Sequence, residues 1–266
     1  MPPVVRAFLA AALAAIAAPA RAGELACWVD RGVLVVPAEI DGVAGDYILD
    51  TGTARTQVHD DRARGEGYAT PEFQADVRIA GFRLPGRPIL AASLDARTFY
   101  FPTPVAGVIG ADILSGFVLD VRYEPCRVAL WRPDEAPPLD EGVNLAMVVG
   151  ADGRPLLDAS AADGDQVQTG PFVLATGLDV AARLADDLAA APGIDKPVEL
   201  LPGGVALRPL KAITFQRETW RDLATGLVPR ADLPDGALGE LGPGILARWR
   251  WRFDFPAGRA TLAPSE

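Results

Sequence analysis

The chain has 266 residues, a formal net charge of −10 at pH 7 and 50% hydrophobic residues, enough for one large two-lobed domain or two domains that each bury a core. So acidic a balance gives no electrostatic basis for binding nucleic acid or an anionic lipid surface. Two cysteines and one histidine, with no HExxH or CxxC pattern, leave little for a metal-dependent or Ser-His-Asp mechanism, so neither a metal nor a cofactor is expected.

At the N-terminus, Arg6 precedes an apolar run from Phe8 to Ala18 and the triplet Ala20-Arg21-Ala22. A basic start, a short apolar core and an A-x-A site predict a secretory signal peptide over residues 1–22. The run is too short to span a bilayer comfortably, so the mature chain is expected in the periplasm or secreted, without membrane association. In an exported protein, Cys27 and Cys126 favour a disulfide over a metal site. That bridge would tie the N-terminal strand to the last hairpin of the first half. His59, beside Asp60 and Asp61, reads as a solvated loop residue.

Short β-type segments follow, separated by Gly, Pro and Asp turns. They are Gly32 to Val36, Tyr47 to Leu49, Ala75 to Ile79, Pro88 to Leu90, Phe117 to Val121 and Arg127 to Trp131. The stretch from Pro133 to Asp140 reads as an extended linker. In the second half, Gly177 to Ala191 has helical spacing at Val180, Leu184 and Leu188. Near the end, Trp249, Trp251, Phe253 and Phe255 alternate with Arg248, Arg250, Arg252 and Asp254. Period-two alternation predicts a strand with aromatics on one face and solvated charges on the other. The class is mainly β.

The halves repeat. Asp50-Thr51-Gly52, after the apolar Tyr47-Ile48-Leu49, corresponds to Ala175-Thr176-Gly177, after Phe172-Val173-Leu174. Further on, Gly107-Val108-Ile109-Gly110-Ala111-Asp112-Ile113-Leu114 corresponds to Gly239-Glu240-Leu241-Gly242-Pro243-Gly244-Ile245-Leu246, and Phe117 to Leu130 to Trp249 to Leu262. Two anchors in the same order make a duplication.

The D-T-G turn after an apolar strand, Thr53 behind it, and an apolar-apolar-Gly-x-Asp-apolar-Leu motif about sixty residues later resemble the retropepsin family of aspartic peptidases, which has bacterial members. The duplication resembles a pepsin-like bilobal pseudo-dimer of two tandem retropepsin-like β-barrel lobes. The resemblance implies a first lobe over 23–132, a linker over 133–140 and a degenerate second lobe over 141–266. It implies that Asp50 is the catalytic acid and that Thr51 meets Thr176 across the lobe junction. Gly52 would allow close backbone approach, and Thr53 would bond the outer carboxylate oxygen. Val108-Ile109-Gly110 would cross beneath the loop, with Asp112 just beyond. Gly81 and Phe82 would lie in a flap hairpin over the substrate.

Aspartic-peptidase chemistry uses two carboxyls about 3 Å apart that share one proton, one serving as base on water and the other polarising the scissile carbonyl. Here Ala175 stands in place of the second acid, Leu178 in place of Thr53, and Gly244 in place of Asp112. Asp179 and Asp158 are the nearby acids, and neither is expected to be aimed at the dyad position. Two functions follow. One is an exported aspartic peptidase that cleaves peptide or protein substrates, pairing Asp50 with Asp50 of a second chain in a homodimer. The other is a monomeric, catalytically inactive protein that binds extended peptides or serves as a scaffold.

Overall fold

A computed structural model describes residues 23–98, 101–139, 141–163, 166–188, 199–200 and 206–265. The leader expected over 1–22 lies outside them. In the first half the chain forms β1 (Glu24–Leu25), β2 (Trp28–Asp30), β3 (Val33–Ile40), β4 (Val43–Leu49), β5 (Gln57–His59), α1 (Asp60–Gly65), β6 (Glu72–Ile79), β7 (Phe82–Ala92), α2 (Asp95–Thr98), β8 (Gly107–Ile109), α3 (Ala111–Leu114), β9 (Val118–Arg122) and β10 (Arg127–Trp131). The second half forms β11 (Val143–Ala146), β12 (Val148–Val149), β13 (Pro155–Asp163), β14 (Gln166–Leu174), β15 (Ala182–Ala185), β16 (Glu199–Leu200), β17 (Ala206–Phe215), β18 (Glu218–Val228), β19 (Gly239–Leu241), α4 (Pro243–Leu246), β20 (Trp249–Asp254) and β21 (Arg259–Pro264).

The segments that read as strands become strands because each has both backbone partners and a core to face. In the first lobe, pairing runs β3-β4-β8-β5-β7-β6 and returns from β6 to β3, closing a six-strand barrel. The second lobe repeats this as β13-β14-β19-β15-β18-β17, with β17 returning to β13. Closure leaves no free edge within either ring. A third sheet, β1-β10-β9-β20-β21-β11, takes three strands from each half and joins them at β9–β20. The two-lobed, mainly β architecture is thus the one the repeat implies.

The joining sheet buries the aromatic face of β20. Trp251, Phe253 and Phe255 are buried, and Trp251 and Phe253 stack with ring centroids 5.2 Å apart. Each buried side chain of this size contributes about 1.5–3 kcal/mol through its area alone. The opposite face is not uniformly solvated as expected. Arg252 is buried beneath the linker, where its Nη1 donates to the Pro137 carbonyl, and it grips Asp120 through Nε–Oδ1 and Nη2–Oδ2 bonds of 2.6 Å each. Register places Asp120 directly opposite Arg252, flanked by the Val121–Trp251 and Leu119–Phe253 pairs. These two residues occupy the same place in the two repeats, so the pseudo-twofold axis passes between them and opposite charges meet there. The linker folds back to roof a cavity of about 420 Å³ with Pro137, Pro138 and Leu139.

The expected helix over 177–191 is absent from its described part. Leu184 lies in β15, paired with Leu227 of β18 and Gly239 of β19, and a short 3-10 turn follows at Asp186–Leu188. Three apolar residues at helical spacing were outweighed by two available strand partners. Residues 189–191 lie outside the described part.

Candidate functional site

Strand β4 is buried along Tyr47-Ile48-Leu49 and ends at Asp50, whose N–H donates to the Ile109 carbonyl at 3.0 Å. In the second lobe the Ala175 N–H donates to the Leu241 carbonyl at 2.9 Å, so the two loops hang from equivalent strands. They dock on each other through their threonines. The Thr51 N–H donates to Thr176 Oγ1 at 3.0 Å, and the Thr176 N–H to Thr51 Oγ1 at 3.3 Å. Thr176 Oγ1 donates to the Leu49 carbonyl at 2.8 Å, and Thr51 Oγ1 donates to the Leu174 carbonyl. Both threonines are fully buried. Their hydroxyls each accept one bond and donate another, as burial demands. A Cβ on Gly52 would lie 2.4 Å from that of Ala175, and one on Gly177 would lie 2.5 Å from that of Asp50. Only glycine permits this approach.

Asp50 is 4% exposed and accepts from four donors. Oδ1 takes the N–H groups of Gly52 (2.8 Å) and Gly177 (3.1 Å), one from each lobe. Oδ2 takes the Thr53 hydroxyl (2.7 Å) and Arg97 Nη2. Arg97, on α2, also donates to Thr53 Oγ1 at 3.0 Å and to the Gly177 carbonyl at 2.9 Å. Burial pushes the Asp50 carboxyl up, but the Arg97 charge and the bonds from Thr53, Arg97 and Gly52 outweigh it. The group is held below the ordinary carboxylate range. At neutral pH Asp50 is an ionised acceptor with its lone pairs engaged.

Among the described residues no second acid is bonded to it. Ala175 presents a methyl to Gly52, and Leu178, in place of Thr53, is buried. Asp112 accepts from the Thr56 N–H (2.9 Å) and hydroxyl (2.7 Å), whereas its counterpart Gly244 packs on Ala181. Asp179 pairs with Arg183 at 3.3 Å. Asp158 lies exposed on β13 opposite Pro171. Neither acid is among the partners of Asp50.

Two expectations need correction. Gly81 and Phe82 do not cover Asp50. The β6–β7 hairpin pairs with the far end of β3, Arg78 opposite Glu39 and Val77 opposite Ile40, which is the turn end of β4 and about 20 Å along that strand from Asp50. The Phe82 ring packs there against Phe117. What caps Asp50 is Arg97. His59, in turn, is no solvated loop residue: its side chain is 13% exposed at the end of β5. Its Nε2 lies 3.0 Å from Asp95 Oδ1 and so ties β5 to the start of α2, while Nδ1 lies 3.2 Å from Asp60 Oδ1 and 3.3 Å from the Asp61 N. Cys27 and Cys126 are joined in a disulfide with Cα atoms 5.8 Å apart.

Arg97 gave no signal in the sequence, since its contact with Asp50 spans 47 residues. Glu240 did give one. It stands where the first repeat has Val108, between Gly239 and Leu241. In β19 it sits beside Val173 on one side and Arg183 on the other, 6% exposed. Burial pushes its carboxyl above the ordinary range, against the nearby Arg183, and the Asp50 charge adds to the rise. Asp50 and Glu240 are thus shifted in opposite directions, the first lowered by Arg97 and its hydrogen bonds and the second raised by burial.

No family model matches the sequence, and no curated protein matches it. Among solved structures, the aspartic proteinase from Irpex lacteus superposes with a TM-score of 0.52 at 13% identity, over 92% of this chain and 97% of that one. The likeness concerns the fold, and not the narrower retropepsin family: this chain has the two-lobed fold of pepsin-like aspartic proteinases.

Proposed function

We propose that this protein holds extended peptides in the cleft between its lobes and does not cleave them, acting as a monomer in an oxidising compartment outside the cytoplasm. One observation carries the reading: Asp50 has Ala175, not an acid, as its counterpart in the second loop and is closed off by Arg97 within its own chain. An ionised carboxylate is acceptor-only and cannot polarise a carbonyl by donation. Its depressed basicity and four filled acceptor positions also leave it a poor base for water. Pairing with Asp50 of a second chain would require the surface that Thr176 and Gly177 already fill, which supports the monomer. The Cys27–Cys126 disulfide supports an oxidising location, periplasmic or secreted.

A second reading, peptide-bond hydrolysis, is favoured by the proteinase fold and by a second buried carboxyl, Glu240, that burial and the Asp50 charge push above its ordinary range. Digestion of denatured casein from about pH 3 to neutrality separates the two, because a carboxyl pair would work on the acid side of that range. The binding reading expects wild type and Asp50→Asn to be equally inert. Pepstatin-sensitive cleavage that disappears in Asp50→Asn overturns it.

A further inference from the structure

Arg183 and Glu240 lie side by side on β15 and β19, on the face that carries Val173 of β14. In the first lobe the corresponding face is apolar: Ile48 and Val108 pack there with Val33, Leu94 and Val105. The second lobe keeps an apolar group of Leu156, Val173, Leu233 and Ala237, yet places an acid and a guanidinium among them. These two groups do not satisfy each other. Arg183 Nη1 stands 3.6 Å from Glu240 Oε2, beyond a good hydrogen bond, and both Glu240 Oε2 and Arg183 Nε are buried without a protein partner. A buried polar atom left unpaired loses its hydration without compensation. In the first lobe this face reaches the junction, where a Cβ on Gly177 would lie 2.6 Å from Ile48 Cγ2, and Val173 and Glu240 pair in the second lobe as Ile48 and Val108 do in the first.

From this we infer that Glu240 and Arg183 form a recognition site for an amide group of the bound peptide. An amide carries an N–H that Glu240 Oε2 can accept and a carbonyl that Arg183 Nε can donate to, so a single planar group satisfies both orphaned atoms. A lysine would meet the Arg183 charge, and an aliphatic side chain would leave both atoms unpaired. A glutamine or asparagine side chain offers both groups on one edge of its primary amide; in the backbone, where the N–H and C=O of one trans amide point apart, they would come from the N–H and the carbonyl of one extended residue. The inference rests on the peptide-binding reading above and names what the cleft selects.

The test uses the full mature chain and short, N-acetylated, C-amidated peptides with a fluorescent label, read by anisotropy. One glutamine is walked through an alanine-valine frame, and leucine and lysine replace it at the best position. Wild type, Glu240→Val (the residue of the first repeat) and Glu240→Gln are compared. A preference for glutamine over leucine of about tenfold that Glu240→Val abolishes supports side-chain recognition. An equal loss of about tenfold for every peptide in Glu240→Val, with Glu240→Gln intermediate, supports backbone recognition. Unchanged affinities in Glu240→Val overturn the inference and leave a trapped water as the partner, with the peptide-binding reading intact. If no peptide binds wild type, both fall. Thermal unfolding of each variant shows that it is folded, and an infrared carboxylic-acid band that Glu240→Gln removes reports the buried acid independently of binding.

Discussion

Replacing Arg97 with methionine keeps most of the aliphatic stem and removes the cation that pairs with Asp50. The variant loses three bonds, to Asp50 Oδ2, Thr53 Oγ1 and the Gly177 carbonyl, and leaves an ion 4% exposed without its counter-charge. Breaking a buried pair in this way commonly costs about 3–5 kcal/mol, and a single hydrogen bond to a charge about 1.5–3. Asp50 keeps its bonds from Gly52, Gly177 and Thr53, and the Arg97 side chain is 28% exposed, so the lower part of that span applies. A loss of about 2–3 kcal/mol in urea unfolding at neutral pH is expected. The sign with pH follows from linkage. The folded Asp50 carboxyl is depressed, so its contribution is fully present above the unfolded value of about 3.9 and is lost as pH falls through the folded value. The gap between wild type and Arg97→Met should therefore close in acid. A double-mutant cycle with Asp50→Asn should give a coupling of about 1–3 kcal/mol at neutral pH. Equal stability at neutral pH, or a gap that persists undiminished in acid, would refute the ion pair as the reason Arg97 sits there.

Thr51→Val and Thr176→Val should each lower stability by about 1–3 kcal/mol, and the double variant by less than their sum, because both break one network; urea unfolding checks this. Cys27→Ser with Cys126→Ser, which opens a link spanning 99 residues, should cost about 2–5 kcal/mol, and thiol titration of the denatured wild type should find no free thiol. Glu240→Gln should change the pH profile instead. Between about pH 4.3 and the raised folded value, the unfolded chain releases a proton that the folded chain retains, so wild-type stability falls as pH rises through that window. The variant lacks this fall, so its stability relative to wild type should increase from acid towards neutrality. A constant difference across that window would contradict a raised Glu240 carboxyl.

What the sequence disclosed was set by local geometry. A D-T-G turn behind Tyr47-Ile48-Leu49 and the spacing to Val108-Ile109-Gly110 specify a loop between parallel strands, and the second copy of that pattern exposes Ala175 by alignment alone. Contacts that cross the barrel were not disclosed. The direction of the β6–β7 hairpin depends on two residue pairs between β6 and β3, and nothing within 72–92 encodes it. Arg97 belongs to a segment without periodicity, and its role depends on a lobe that follows it in the chain. Glu240 lies between these cases. The repeat shows an acid at an apolar position, but only the folded barrel shows that neither it nor Arg183 finds a full set of partners.

Asp50 has a use that does not involve cleavage. Its Oδ1 is the acceptor for Gly52 of one lobe and Gly177 of the other, and a Cβ on either glycine would strike the opposing loop. Close docking of the loops therefore buries two N–H groups that need an anion or an equivalent acceptor between them. In a pair of like lobes two carboxyls would meet at this axis and repel, a cost that the shared proton of a peptidase turns to chemical use. Here the axis carries one carboxylate, a methyl and a guanidinium. At the base of the molecule the same axis carries Asp120 against Arg252, where symmetry would have opposed like with like. At the base the repeat counterparts carry opposite charges, whereas at the loops the counterpart of Asp50 is Ala175 and the counter-charge comes from Arg97 of the same lobe. A single carboxylate satisfies the backbone of the junction fully and supplies half of what hydrolysis requires, so the presence of D-T-G in this chain is accounted for by the docking of its lobes.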